Sequence, residues 1–391
     1  MVRAARRAGL ADVLRRHGPA YLAAHPLSFA KAKVWRAIVA CRTAALGGHV
    51  ETCDACGTTR HVYHSCRNRH CPLCQTRAKE AWLAARRREV LPVPYFHLVF
   101  TLPHDLNGLI GQCPRALYEM LFGAVSATLT EFAANPRWLG GTPAFSLVLH
   151  TWKQDLGRHV HAHALMAGGA LGIDGHWVAA KRGFLFPVKA LSKVFRGKFV
   201  AALKAARQGG KLQEAELAEH AWRDLLARVH RHHWVVYAKE PLGGPVQVLD
   251  YLARYTHRVA ISNERILGMD GDTVSVRVRD SAHGNRKRTI SLPAQTFIER
   301  FLLHVLPKGF KRIRHYGLIG PAHKAARLAT ARAALDAPAP DPIVVESVAA
   351  FMHRIDQHER LRCPHCGKGQ FVPTAAIVPV PLPMLHLRGP P

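Results

Sequence analysis

The sequence predicts an α+β fold, and three observations carry that prediction. Short runs rich in β-branched and aromatic residues alternate with longer helical patterns. Two of those runs flank the tight turn Met269-Asp270-Gly271-Asp272, which requires an antiparallel hairpin. The strands and helices interleave without the strict repeat of a parallel sheet.

Residues 1–40 read as basic helix, with Asp12 their only acid, and residues 41–80 are crowded with Cys and His. Ala81–Leu91 reads as a helix ended by Pro92 and Pro94. Strands are expected at Tyr95–Leu102, Ala144–Trp152 and His159–Met166, the last closed by Gly168-Gly169. Helices are expected at Pro114–Ala134, Val188–Ala206 and Gln213–His230. A strand at Trp234–Ala238 precedes a helix from Val246 to about Arg258, and strands Val259–Leu267 and Thr273–Arg279 form the hairpin. Pro338–Pro342 marks a linker to a Cys-containing tail. Three segments follow: a basic, Cys/His-rich domain over 1–94, a catalytic-type domain over 95–300 and a basic C-terminal region over 301–391.

The charge is the abnormal quantity. Of 391 residues, 55 are Lys or Arg and 26 are Asp or Glu, a net +29. Such a balance calls for a polyanion, nucleic acid or an anionic membrane surface. The longest uncharged stretch, Gly369–Leu387, carries Pro373, Pro379, Pro381 and Pro383 and cannot form a spanning helix. No membrane partner and a cytoplasmic, nucleoid-associated location are therefore expected. The Arg-rich N-terminus, superficially similar to a transit peptide, reads better as a basic helix that packs or touches phosphate. The stretches Gly175–Gln213 and Arg300–Leu335 contain Lys and Arg but no acid, which favours nucleic-acid contact over an ordinary solvated face.

Of the 9 cysteines, six fall between Cys41 and Cys74, and two more form Cys363-Pro-His-Cys366. An odd count, clustered as CxxC pairs with His, points to reduced thiolates on Zn2+. Cys53, Cys56, Cys71 and Cys74 are the expected ligands of one closed, structural site of zinc-ribbon type. Cys66 and His70 are candidates for a second ion with Cys41, or for replacing a knuckle cysteine. Cys363 and Cys366 are half a site that needs a partner from elsewhere, or a turn without metal. Arg67 and Arg69 give the module a DNA-facing character. Cys113 reads as a buried small hydrophobe.

In His159-Val160-His161-Ala162-His163-Ala164 the histidines share one face of a strand and the small apolar residues the other. Two such imidazoles and one more ligand can hold a divalent ion with positions open for phosphate oxygens. In Asp250-Tyr251-Leu252-Ala253-Arg254-Tyr255-Thr256-His257-Arg258, helical spacing puts Tyr251 and Tyr255 on one face. The bland reading is a pair of core aromatics, but Arg254, His257 and Arg258 are poor core material and good phosphate clamps. A tyrosine attacking phosphate would conserve the phosphodiester bond energy.

With CxxCG…SCRNRHCPLCQ, YFHLVFTLPHDLN and YLARYTHRVAISN, the chain resembles the two-tyrosine HUH endonucleases, and among them the rolling-circle transposases of insertion-sequence family ninety-one. The resemblance runs from about Ile38 to about Tyr316. It implies an HUH palm with a central antiparallel sheet and Mg2+ or Mn2+ held by His161 and His163. It implies nucleophiles at Tyr251 and Tyr255, and no carboxylate triad. The residue between the histidines, usually bulky, is Ala162 here. Candidates for the third ligand are His159, Gln154 and His257. The implied activity is nicking of single-stranded DNA at element ends through a 5′-phosphotyrosine, with transfer of the strand into target DNA. A replication initiator or relaxase would use the same site, and the zinc module favours transposition. A non-catalytic, zinc-dependent DNA-binding regulator would explain the charge and the cysteines but leave the histidines and tyrosines idle.

Overall fold

The computed structural model describes residues 8–74, 76–181, 183–242, 247–248, 259–280, 284, 286–340, 347–354 and 362–380. The helix expected from Val246 to Arg258 lies outside these residues except at 247–248. In chain order, α1 (Leu10–Ala24) and α2 (Phe29–Ala40) lead to the hairpin β1 (Gly48–Cys53) and β2 (Thr59–Tyr63), then α3 (Thr76–Arg87). There follow β3 (Tyr95–Thr101), α4 (Asn107–Gln112), α5 (Pro114–Ala134), β4 (Gly141–Trp152), β5 (Arg158–Gly172) and β6 (Trp177–Ala179). Next come α6 (Val188–Gln208), α7 (Glu219–Arg231), β7 (Val236–Leu242), β8 (Ile266–Asp270), β9 (Thr273–Asp280) and β10 (Arg286–Pro293). The chain closes with α8 (Ala294–Leu302), β11 (Ile313–Gly317), α9 (Lys324–Ala333), α10 (Val348–Arg354) and β12 (Phe371–Ile377).

The fold class is α+β, as the sequence predicts. A six-stranded antiparallel sheet in the order β11-β4-β5-β3-β7, with β6 beside β5, forms its centre. One face of the sheet is apolar. Phe96, Leu98 and Phe100 of β3, Phe145, Leu147 and Leu149 of β4, and Val160, Ala162, Ala164 and Met166 of β5 are buried in one cluster with residues of α5, α6 and α7. The small Ala162 and Ala164 suit this dense packing, where Phe100, Phe122 and Phe195 have no exposed surface. The other face carries the odd-numbered residues of β5, His159, His161 and His163 among them.

A second cluster joins α1 and α2 to the three-stranded β10-β9-β8 sheet and α8. Strand β9 alternates cleanly: Val274, Val276 and Val278 are buried while Arg277 and Arg279 are exposed. Packing therefore crosses the segment boundaries read from the sequence. The N-terminal helices sit on the 259–302 region, β11 adds an edge to the central sheet by pairing β4, and β12 pairs with β1 of the cysteine hairpin.

Two expected elements differ in detail. The strand expected at Val259–Leu267 begins only at Ile266, because Ala260 takes a left-handed φ of 59° and Asn263–Arg265 form a 3-10 turn. The Asn263 side chain accepts the Leu10 N–H at 3.1 Å and so fixes the start of α1. The helix expected at Gln213–His230 is split by Glu216, whose φ is 40°.

His304 ties the end of β4 to this second unit. Its Nε2–H donates to the Leu156 carbonyl at 2.8 Å and its Nδ1 accepts from the Thr151 hydroxyl at 3.0 Å. Burial lowers its pKa to about 4 from an ordinary 6.5. The folded state thus prefers the neutral ring. Its stabilisation is full above pH 6.5 and is lost as pH falls towards 4, about 3 kcal/mol at the limit. We expect His304→Gln to be less stable than wild type at pH 7.5 in urea unfolding and to lose stability less steeply from pH 6.5 to 4. An unchanged slope would remove His304 from this role.

Candidate active site and metal centres

Strand register builds the histidine site. His161 of β5 lies opposite His150 of β4, and His163 lies opposite Val99 of β3 and Val148 of β4. His150, His161 and His163 each offer a ring nitrogen, all within 4.8 Å of one another. His161 donates its Nδ1–H to the His159 carbonyl at 2.9 Å, which leaves the Nε2 lone pair for a ligand. The His163 Nδ1 is 2.8 Å from Nε2 of His97 on β3, and its Nε2 is 3.0 Å from His150 Nδ1. The His97 and His163 rings stack at 5.1 Å, and His150 stacks on Trp152 at 4.5 Å. Burial, reinforced by neighbouring imidazoles, lowers the pKa of His161 to about 4 and holds His163 well below 6.5. Neutral imidazoles are the form a metal ion binds.

These rings line a cleft of about 830 Å³ together with Trp152, Gln154, His159, Ala260, Ile261, Arg277, Arg279 and Lys287. Arg279 and Lys287 are cross-strand partners. Like charges directly opposite destabilise a sheet, so this pair is costly unless an anion lies over it. Asp280 meets Arg288 at 3.3 Å, and Arg265 is tied to the carbonyls of Gln154, Ala260 and Arg277.

The cysteines form two groups of four. In the first, Cys41, Cys66, Cys71 and Cys74 have sulfurs within 4.8 Å of one another, and Cys66 and Cys74 are 3.6 Å apart. Four sulfurs at about 2.3 Å from Zn2+ stand about 3.8 Å apart on tetrahedral edges, whereas a disulfide needs about 2.05 Å. The donor set fits a closed structural zinc site. Hydrogen bonds from Cys66, Cys71 and Cys74 lower the Cys41 pKa, favouring the thiolate that zinc takes. Arg67, at a φ of 51°, turns the chain so that Cys71 N–H reaches the Asn68 carbonyl at 3.0 Å. In the second group, Cys53 and Cys56 meet Cys363 and Cys366.

Comparison with known proteins follows the same division. Residues 13–102 match a family described as "Transposase zinc-binding domain", and residues 144–327 one described as "Putative transposase". A "Putative transposase y4qJ" of Sinorhizobium fredii (strain NBRC 101917 / NGR234) is 45% identical over 373 residues, 93% of this chain and 94% of the relative. The chain is a transposase of insertion-sequence family ninety-one. The "Transposase for insertion sequence element IS801" of Pseudomonas savastanoi pv. phaseolicola is 26% identical over 364 residues, 90% of this chain and 85% of the relative. A transposase acts on DNA by cutting it, which accounts for the sign of the charge. Among the described residues no helix is long and apolar enough to cross a membrane.

In this transposase the two cysteine knuckles expected to share one ion are parted. Cys71 and Cys74 join Cys41 and Cys66, while Cys53 and Cys56 join the tail. The physical cause is the pairing of β1 with β12, which carries Cys363 and Cys366 to the end of β1. His70 stands outside both groups. Its ring meets Asn68 Oδ1 at 3.1 Å and accepts the Leu306 N–H at 3.4 Å. Arg67 and Arg69, both expected to face DNA, are both exposed, and Arg69 donates to the Phe310 carbonyl at 2.7 Å. His159 lines the cleft but its Nδ1 lies 3.0 Å from His104 Nε2. Gln154 lines the cleft outside the three-histidine group. Tyr251, Tyr255, Arg254, His257 and Arg258 lie outside the described residues.

The two acid-free runs find their acids at a distance. Lys198 pairs with Glu131 at 2.7 Å and Arg207 with Glu219 at 3.1 Å. Arg314 makes a bidentate pair with Glu119 at 2.6 Å, and Lys324 pairs with Glu89. Helix α6, which carries much of the first run, packs on the sheet face opposite the histidines. Sequence reasoning missed His150, His97 and the Arg277–Arg279–Lys287 wall. The alternation Thr-Val-Ser-Val-Arg-Val-Arg was a readable signal for the wall; the two histidines needed the strand register.

Cys66→Ser should lower the zinc content of the purified protein, and His70→Ala should leave it unchanged, both read by elemental analysis. Loss of zinc from His70→Ala would restore His70 to the ligand set.

Proposed function

We propose that this transposase nicks single-stranded DNA through a 5′-phosphotyrosine in the histidine cleft and moves the strand by rolling-circle transposition. The observation that carries the reading is the convergence of His150, His161 and His163 in a cleft also lined by Arg277, Arg279 and Lys287. Three neutral imidazoles can hold Mg2+ or Mn2+ without cancelling its charge, and the bound ion supplies Lewis acidity at a phosphate oxygen. His97 fixes the orientation of His163. The basic wall holds the sugar–phosphate backbone, and Trp152 offers a face for a base.

Tyr251 and Tyr255 are the proposed nucleophiles. The described residues on either side of them support this. Val248 is buried in a cluster with Leu165 and Ala167, which share the face of His163, and Ala260 and Ile261 line the cleft. A tyrosine oxygen attacks the phosphorus, and the O–P bond forms as the phosphorus–O3′ bond breaks. The phenolic proton leaves to solvent and the released O3′ takes one up. The bond energy stays in the phosphotyrosine, so a later 3′-hydroxyl can reverse the step without a nucleotide cofactor. The second tyrosine permits a second cleavage. Arg254 and Arg258 beside them are the proposed phosphate clamps. The same chemistry would serve a replication initiator or relaxase; family membership favours transposition.

With single-stranded oligonucleotides of the element ends and Mn2+, a covalent protein–DNA adduct is expected, absent from Tyr251→Phe combined with Tyr255→Phe. An adduct surviving in that variant would overturn the assignment of the nucleophiles. No adduct in wild type would favour a non-catalytic binding protein. His150→Ala and His161→Ala should abolish cleavage while DNA binding persists, and His97→Ala should weaken Mn2+ binding about 10–100-fold.

Arg277→Ala with Arg279→Ala should lower the salt slope of single-strand binding by about 1.4, since each phosphate contact contributes roughly 0.7. An unchanged slope in fluorescence-anisotropy titrations would remove this wall from the DNA path.

A further inference from the structure

We propose that Cys53, Cys56, Cys363 and Cys366 hold a second structural Zn2+, one that fastens the C-terminal tail to the N-terminal hairpin. The family match to a zinc-binding domain ends at residue 102, so it covers only half of this ligand set. The site is independent of the tyrosine chemistry.

The sulfur geometry is that of a tetrahedral cage. Cys53 Sγ lies 3.8 Å from Cys366 Sγ and Cys56 Sγ lies 3.7 Å from Cys363 Sγ, with all four within 4.8 Å. Those separations match the edges of a Zn–S4 tetrahedron, about 3.8 Å for bonds of about 2.3 Å. All-sulfur tetrahedral donors suit zinc rather than a hard, oxygen-seeking cation.

The two knuckles are built alike. Each reads CxxCG, with the glycine in the left-handed region, at φ 72° for Gly57 and 67° for Gly367. In each, the glycine N–H returns to the carbonyl of the first cysteine, at 3.0 Å for Cys53 and 2.9 Å for Cys363. The Gly369 N–H points at Cys366 Sγ at 3.4 Å. Gly369 also keeps the approach open: a Cβ there would stand 2.4 Å from Cys53 Sγ.

The tail also needs a fastener. Strand β12 pairs with β1 from Gly48↔Ile377 to Cys53↔Phe371, and Asp54 N–H and Gln370 N–H bond across the junction at 3.0 and 2.8 Å. Yet five consecutive side chains of β12, Val372 to Ala376, are exposed. A strand that buries so little apolar surface gains little from the hydrophobic effect. A metal cross-link between residues far apart in sequence supplies the missing constraint, because closing a longer loop adds little further entropy cost.

The first zinc group is embedded in the cluster that contains Leu10, Ile38 and Phe297, whereas Cys56 of the second is exposed. The tail ion should therefore leave first under chelation. Full-length protein should carry two zinc ions per chain by elemental analysis, and Cys363→Ser with Cys366→Ser should carry one. Hydrogen exchange over residues 48–53 and 371–377 should rise in that variant while β3 to β5 stay protected. A single zinc in wild type, iron in its place, or two zinc ions in the variant would overturn the proposal. Should the variant not fold, graded chelation of wild type decides. The first zinc released should coincide with loss of protection at 371–377, and retained protection there would refute the site.

Discussion

The pairing of β4 with β5 is the constraint on which the rest of the structure depends. It sets His150 against His161 and leaves His163 bracketed by β3 and β4. A slip of one residue would turn every histidine of β5 into the apolar core and expose Val160, Ala162 and Ala164. The helices behind the sheet oppose that slip, since Val160, Ala162 and Ala164 share one buried cluster with residues of α5 and α6 and leave no room for rings. The register breaks between His150 and Trp152, just beyond the last paired histidine. Such an irregularity re-aims the following side chains, and here it ends regular pairing at the mouth of the cleft.

The protonation states follow from the same placement. The rings of His97, His161 and His304 are held near a pKa of about 4, chiefly by loss of solvent. With His161 and His163 already held neutral by burial, those two donors require no proton release at neutral pH before they can hold an ion. The positive charge of the cleft sits instead on β9 and β10, at Arg277, Arg279 and Lys287.

Much of this was legible from local pattern. The 2-residue alternation of His159–Ala164 identified a strand and its chemical face, and α5 and α6 span the predicted residues with at most a short extension. What escaped was everything decided by partners distant in sequence. His150 lay in a run read only as a strand, and nothing local says which residue of β4 faces His161. The cysteine knuckles followed the usual expectation that neighbours in sequence share an ion, whereas Cys363 and Cys366, just ahead of β12, supply the nearer sulfurs for Cys53 and Cys56. The acid-free runs hide their partners for a related reason: Arg314 and Lys324 pair with Glu119 and Glu89, residues far upstream.

The union of β1 with β12 has a consequence for how the chain is made. The knuckle at Cys53 leaves the ribosome long before the strand that completes its sheet. Until β12 is made, β1 offers one open edge to solvent, an invitation to foreign strands. A polypeptide cut short anywhere before Phe371 never closes that edge. Pairing by β12 thus separates chains that have reached Ile377 from shorter fragments, whose open β1 edge keeps them structurally distinguishable.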